Sequence, residues 1–287
     1  MILITGANGV VGAPLCQRLL SEQREFRTVS RSAGADIVWD LEQSPTPEAL
    51  QAMAAIKSVI HCAPIWFLPA QLDLLLKIGA ARLVVFSSTS VLAKTQSKDH
   101  GEQQLVKQLA DAEFELNAFC TKHKMQLTIL RPSMIYGYGR DQNIMQIASF
   151  INRFNFMLLV GRAQGKRQPI HANDLVAAAL CILDKPVTFG KSYNLAGADT
   201  LSYRAMVERI FHGLGKKARI LSLPLWLFRM GLRVLASFSR FSFSPEMASR
   251  MSQDLNYSCA DATQDFDFQA QAFLTDPERD LSIQNDK

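Results

Sequence analysis

Cysteine is scarce and scattered: Cys16, Cys62, Cys120, Cys181 and Cys259 form no CxxC pair and have no histidine at metal-ligand spacing. That excludes a disulfide framework or structural metal as the expected source of stability. A chain of 287 residues, 48% apolar, buries a core without either. The thiols read as reduced, mostly buried groups of a cytoplasmic protein. Behind Met1 there is no basic flank, long apolar region or small-residue cleavage site, which argues against export. Also missing is any run of about 20 nearly uncharged apolar residues, so no spanning helix is expected. Internal repeats and low-complexity linkers are absent, leaving one large domain, or a larger domain with a smaller companion.

The net charge of +5 is unevenly placed. Between Tyr203 and Arg250 lie nine Lys or Arg and two acidic residues, Glu208 and Glu246, a local +7 that leaves −2 for the rest. The same stretch holds LPLWLFRMGLRVLASFSRF, apolar but punctuated by Arg229, Arg233 and Arg240. Helical spacing favours an amphipathic helix over a substrate cleft. Peripheral membrane contact through residues 221–241 is the alternative, since a basic face beside Trp and Phe suits anionic lipid. No recognition motif accompanies the charge, so nucleic acid is not an expected partner.

Over the first 130 residues β-rich runs alternate with helical periodicity, the pattern of parallel strands joined by crossover helices. MILIT, FRTVS, DIVW, SVIHC, RLVVFSS and QLTIL read as strands, mostly continuous apolar runs as in sheets covered on both faces. VVGAPLCQRLL, TPEALQAMAAI, PAQLDLLLKIG and EQQLVKQLADAEFELNAFCTKH read as the helices between them. After Arg131 the pattern becomes irregular; KSYNLAG reads as a further short strand, and Asp174 as the cap of a helix beginning at Leu175. The polar tail DPERDLSIQNDK reads as frayed.

Gly6, Gly9 and Gly12 fall where strand MILIT turns into helix VVGAPLCQRLL. There Gly6 permits the tight turn, Gly9 lets backbone approach a pyrophosphate, and Gly12 lets helix and strand pack closely. The helix N-terminus directs N–H groups and a positive dipole end at the phosphates, so the loop through Asn8, Val10 and Val11 is read as a dinucleotide site. At the end of the second strand an NAD site places a carboxylate on the ribose hydroxyls. This chain has FRTVSRS, and Arg31 suits a 2′-phosphate, so NADP is favoured over NAD; an ordinary solvated arginine is the alternative. Asp40, followed by Leu41, is placed to bond the adenine or else to cap a helix.

With TGANGVVG, VIHCAP, FSSTSV, LRPSMIYGYGR and QPIHANDL in this order, residues 1 to 200 resemble the extended short-chain dehydrogenase/reductases, the nucleotide-sugar epimerases and dehydratases. The resemblance implies an α/β fold: a Rossmann-type doubly wound parallel sheet over about residues 1–160, with a return segment near 166–197. A smaller C-terminal substrate lobe would follow over 198–287. It implies a nucleoside diphosphate sugar, or another nucleotide-linked or lipid-linked sugar, as substrate, and leaves a homodimer open. His61, Cys62 and Ala63 match the segment lining the cofactor, and Pro132 the segment passing the nicotinamide. Ser88 matches the catalytic hydroxyl, while Arg167, four before His171, matches an arginine on the substrate diphosphate. Asn143 is implied as a sugar or phosphate contact.

The resemblance breaks at the Tyr-x-x-x-Lys pair, whose positions fall near Leu105 and Leu109, side chains that move no proton. None of Tyr136, Tyr138, Tyr193, Tyr203 and Tyr257 has lysine four residues later. Tyr136 is the candidate substitute acid, with packing as its alternative, and Glu113 is read as a packing or capping partner. Two functions remain: an atypical enzyme, or a catalytically silent NADP-binding module.

Overall fold

In the computed structural model the chain is described at residues 1–93, 99–224, 227 and 250–282. The first 132 residues fold as β1 (Ile2–Thr5), α1 (Gly12–Ser21), β2 (Phe26–Ser30), β3 (Ile37–Val38), α2 (Pro47–Ala52), β4 (Ser58–His61), α3 (Leu72–Lys77), β5 (Arg82–Phe86), α4 (Ser90–Ala93), α5 (His100–His123) and β6 (Gln126–Pro132). Helix α6 (Asn143–Phe154) follows, then α7 (Ala172–Ile182) and the strand β7 (Lys191–Leu195), then α8 (Tyr203–Gly213), α9 (Ala260–Phe266) and α10 (Pro277–Asp280).

All seven strands are parallel, in the order β7-β6-β5-β4-β1-β2-β3. Every residue of β1 and β5 is buried, as their mostly apolar sequence requires when helices cover both faces. Strand order reverses at β1, which pairs with β2 on one side and β4 on the other, so a crevice opens at its carboxyl end. The expected doubly wound sheet is therefore present, and the six strands and KSYNLAG lie where the sequence put them. Helix α7 starts at Ala172, so Asp174 lies within its first turn and does not precede it.

The chain divides into two units, the first comprising Met1–Ser133, Ala172–Leu195 and Ser258–Gln269. This differs from a division at residue 160 in two respects. The boundary comes directly after β6, because the next residues belong to a second core around Tyr136, Ile144, Phe150 and Phe211. A late segment also rejoins the first unit: on α9, Asp265 accepts from the buried Tyr193 hydroxyl (2.5 Å) and from Lys191 Nζ (2.7 Å), and Phe266 packs edge-on against Tyr193.

The second unit comprises Met134–His171, Ala196–Tyr257 and Ala270–Lys287. Helices α6 and α8 pack together there beside a parallel strand pair, Met157–Val160 with Ile220–Leu223. Leu221–Leu223, the start of the apolar-basic segment, thus lies in a strand; residues 225, 226 and 228–241 fall outside the described ones. Among the described residues no helix is long and apolar enough to cross a membrane. Asp280 is fully buried and pins this unit: it takes hydrogen bonds from His171 Nε2 (3.1 Å), Arg279 Nε (2.8 Å) and the Tyr138 N–H (3.4 Å). Burial alone would raise its carboxyl, but the bonds from His171 and Arg279 prevail and hold it below the usual carboxylate range. Replacing one member of a buried ionic cluster leaves the others uncompensated. Asp280→Ala is expected to cost about 3–5 kcal/mol in urea unfolding; a loss below about 1 kcal/mol would contradict this role.

Candidate dinucleotide site

The glycine loop shows why only glycine fits at two of its three positions. Gly6 has φ +70°, and a Cβ there would lie 2.6 Å from the Ala63 nitrogen and 2.7 Å from the Cys62 carbonyl carbon. On Gly12 a Cβ would come within 2.1 Å of the Gly6 oxygen, a distance backbone cannot relieve cheaply. Gly9 closes the turn, its N–H donating to Gly6 O at 3.0 Å. Helical bonding begins with the Ala13 N–H on Gly9 O (3.1 Å), so the amides of Val10, Val11 and Gly12 have no backbone acceptor among the described residues. No acidic residue occupies the first turn of α1, and Pro14, buried within it, has no N–H to leave unpaired. Orphan donors, a positive helix end and no local anion form a cradle that fits a pyrophosphate. A bound dinucleotide would be held there by these amides and would supply hydride transfer.

Around the loop, the Thr5 hydroxyl donates to His61 Nδ1 (2.7 Å), and His61 Nε2 donates to Pro64 O (3.1 Å). With one nitrogen accepting and the other donating to a carbonyl, the fully buried ring is neutral. Burial pulls its pKa down from 6.5 to about 4. His61 thus braces β1 against β4, and the Cys62 N–H continues the ladder to Thr5 O at 3.0 Å. Arg31 is exposed at the carboxyl end of β2, beside the hydroxyls of Ser30 and Ser32, which lie 2.9 Å apart. Asp40 takes the Glu42 N–H (3.1 Å), closing its own turn; Thr46 caps α2, so Asp40 is not that helix's cap. The Leu41 carbonyl is held by Gln71 Nε2 at 2.7 Å.

Farther along the same edge, Ser88 Oγ accepts the Ser90 N–H (3.1 Å) at the start of α4. Its own hydroxyl proton has no acceptor among the described residues. Thr89 donates to Pro132 O through both its N–H (3.0 Å) and its Oγ1 (3.2 Å). In α5, Leu109 is buried in the apolar core and Leu105 packs against it, so neither expected proton-transfer position is more than packing. Glu113, read as a packing or capping partner, is buried with Arg131 and Ser87 on its carboxylate. The sequence carried a signal: Glu113 falls with Leu109, Ala112, Leu116 and Cys120 on the buried stripe of α5, where a charge requires a partner.

Three predicted residues lie in the second unit, and two have other employment. Tyr136 is 1% exposed; its hydroxyl takes the Leu274 N–H (3.0 Å) and donates to Ala272 O (3.4 Å), a buried packing tyrosine instead of an acid facing a substrate. Arg167 is equally enclosed, its guanidinium on the carbonyls of Lys166 and Gln253 (both 2.7 Å) and Arg250 (2.6 Å). Those carbonyls take three of the five N–H donors that a diphosphate was expected to meet. Asn143 is exposed as the first residue of α6. Among the described residues no cluster of metal-ligating side chains occurs.

Comparison with known proteins gives a match to the model of the NAD dependent epimerase/dehydratase family over residues 2–196. The chain belongs to this family. Its curated relatives include a UDP-glucose 4-epimerase of Vibrio cholerae, 23% identical over 161 residues, which are 53% of this chain and 49% of that protein. Another is the mitochondrial NADH dehydrogenase [ubiquinone] 1 alpha subcomplex subunit 9 of Dictyostelium discoideum, 31% identical over 98 residues, 32% of this chain and 26% of the relative. The match thus spans half or less of these relatives. Among solved structures, a UDP-glucuronic acid 4-epimerase from Bacillus cereus in complex with UDP-glucuronic acid and NAD superposes with TM-score 0.74 at 15% identity, covering 98% of both chains. That likeness shows a shared Rossmann-type fold.

Two outcomes follow for the cradle. Gly12→Ala is expected to weaken dinucleotide binding at least about tenfold by calorimetry, since one lost phosphate-directed amide bond is worth about 1.5–3 kcal/mol; unchanged affinity would contradict the cradle. Because folded His61 binds its proton more weakly than unfolded, stability falls as pH drops from 6.5 toward about 4. The slope is about 1.4 kcal/mol per pH unit at most, and His61→Gln should flatten it.

Proposed function

We propose that the chain is an oxidoreductase of the epimerase/dehydratase kind, preferring NADP to NAD and acting on a nucleotide-linked or lipid-linked sugar without a Tyr-x-x-x-Lys pair. The observation that carries this reading is that the uncommitted amides of Val10 to Gly12 and the uncommitted hydroxyl proton of Ser88 lie on the same carboxyl edge of one sheet. The family supplies the reaction class, and the UDP-sugars named for its relatives supply the substrate class.

In this reading Asn8, Gly9 and the α1 amides hold the pyrophosphate, while Asp40 and Leu41 face the adenine. Cys62, Ala63 and Pro132 line the cofactor. Arg31, with no carboxylate beside it at the end of β2, meets the 2′-phosphate in a charge-assisted pair. Ser88 donates to the reacting oxygen, and Asn143 contacts the sugar or its phosphate. General acid–base catalysis by a positioned group contributes about 10²- to 10⁴-fold, so turnover without the phenol is expected to be slow. The chain is read as cytoplasmic.

Titration of the purified protein with NADPH and NADH, followed by hydride-transfer and epimerisation assays over UDP- and dTDP-sugars, tests this reading. Arg31→Ala should weaken NADPH about 10- to 100-fold, the worth of a charge-assisted bond, and leave NADH unchanged; equal effects on both would overturn the NADP assignment. Ser88→Ala should lower kcat about 100-fold at constant dinucleotide affinity. Tight dinucleotide binding with no turnover on any sugar would favour a binding module instead.

A further inference from the structure

A carboxylate on the buried stripe of a helix is costly unless its charge and its lone pairs are both met. Glu113, 6% exposed, meets both conditions. Arg131, the second-to-last residue of β6, donates from Nε to both carboxylate oxygens (3.0 and 3.1 Å) and from a terminal nitrogen to Oε2. The guanidinium alone would neutralise the charge. The structure adds a third member that neutralisation does not need: the Ser87 hydroxyl donates to Glu113 Oε1 at 2.5 Å.

Ser87 directly follows β5 and precedes Ser88. Its N–H is fixed on Leu130 O at 2.7 Å, and on the other side of Ser88 the Thr89 N–H and Oγ1 are fixed on Pro132 O. Ser88 is therefore one residue between two tethered neighbours, one held by side chain to α5 and the other to β6. Its Oγ accepts from Ser90 N–H, which leaves the O–H proton as its donor still without an acceptor among the described residues. We propose that Glu113 is a positioning residue which, through Ser87, fixes the loop that aims the Ser88 hydroxyl. Helix α5, with leucine at 105 and 109, thus contributes to the site by orienting a hydroxyl from β5 rather than by moving a proton itself. The inference rests on the reading that Ser88 meets the reacting oxygen.

Ser87→Ala separates this role from plain stability, because it leaves the Glu113–Arg131 pair intact. In steady-state kinetics with NADPH and a sugar that turns over, Ser87→Ala should lower kcat about tenfold, the worth of one hydrogen bond. KM for the dinucleotide should stay as in the parent, while the lone pair left unmet on Glu113 lowers the unfolding midpoint, so kcat is compared well below that midpoint. Ser87→Thr, which restores a hydroxyl, should recover kcat to within about threefold. An active parent with unchanged kcat in Ser87→Ala, or equal loss in the Ala and Thr variants, would overturn the proposal. If the parent turns over no sugar, that reading fails on its own, and amide exchange decides the positioning role. The Ser90 N–H, bonded to Ser88 Oγ, should then exchange at least about tenfold faster in Ser87→Ala; equal exchange would overturn it.

Discussion

The site depends on one close approach: the Cα of Gly12 packed against the backbone of Gly6. A side chain at either position would push α1 off β1 or close the turn onto Cys62 and Ala63. With both absent, the first turn of α1 begins beside the carboxyl end of β1, where strand order reverses. Its first amides then have no backbone acceptor among the described residues, and no side chain is spent on the task. Three further constraints serve the same approach: the Gly9 N–H on Gly6 O, the Cys62 N–H on Thr5 O, and neutral His61 between Thr5 and Pro64.

Around this frame the chain handles buried polar groups in distinct ways. His61 gives up its charge and keeps both ring nitrogens bonded. Glu113 keeps its charge against Arg131 and uses the remaining valence on Ser87. In the second unit Asp280 does the same with His171 and Arg279, and Arg167 gives its donors to carbonyls. At the amides of α1 and the hydroxyl of Ser88, polar capacity remains uncommitted among the described residues, where a ligand would complete the set.

What was legible in the sequence follows from range. Continuous apolar runs reported strands covered on both faces, and the glycine spacing reported a contact between residues six apart; both are local. The burial of Tyr136 and Arg167 was not legible, because it is decided by carbonyls at residues 272, 250 and 253, more than 80 positions away. A tyrosine or arginine at a familiar spacing looks the same whether its polar end faces a ligand or its own backbone. The return of Ser258–Gln269 to the first unit was hidden for the same reason, resting on Asp265 and Phe266 meeting Tyr193. Glu113 was half legible: the helical stripe shows a charge among apolar residues, but not that its partners are Arg131 and Ser87.

Membership of the NAD dependent epimerase/dehydratase family and the Rossmann-type sheet give this chain a place for a dinucleotide, and the orphan amides give it the means. The most direct measurement is an amide-resolved NMR titration with NADP and NAD. The account predicts that the Val10, Val11 and Gly12 amide resonances shift first and most, saturating together, while those of the α5 carboxyl end stay in place. Resonances of that loop unmoved at saturating dinucleotide would contradict it.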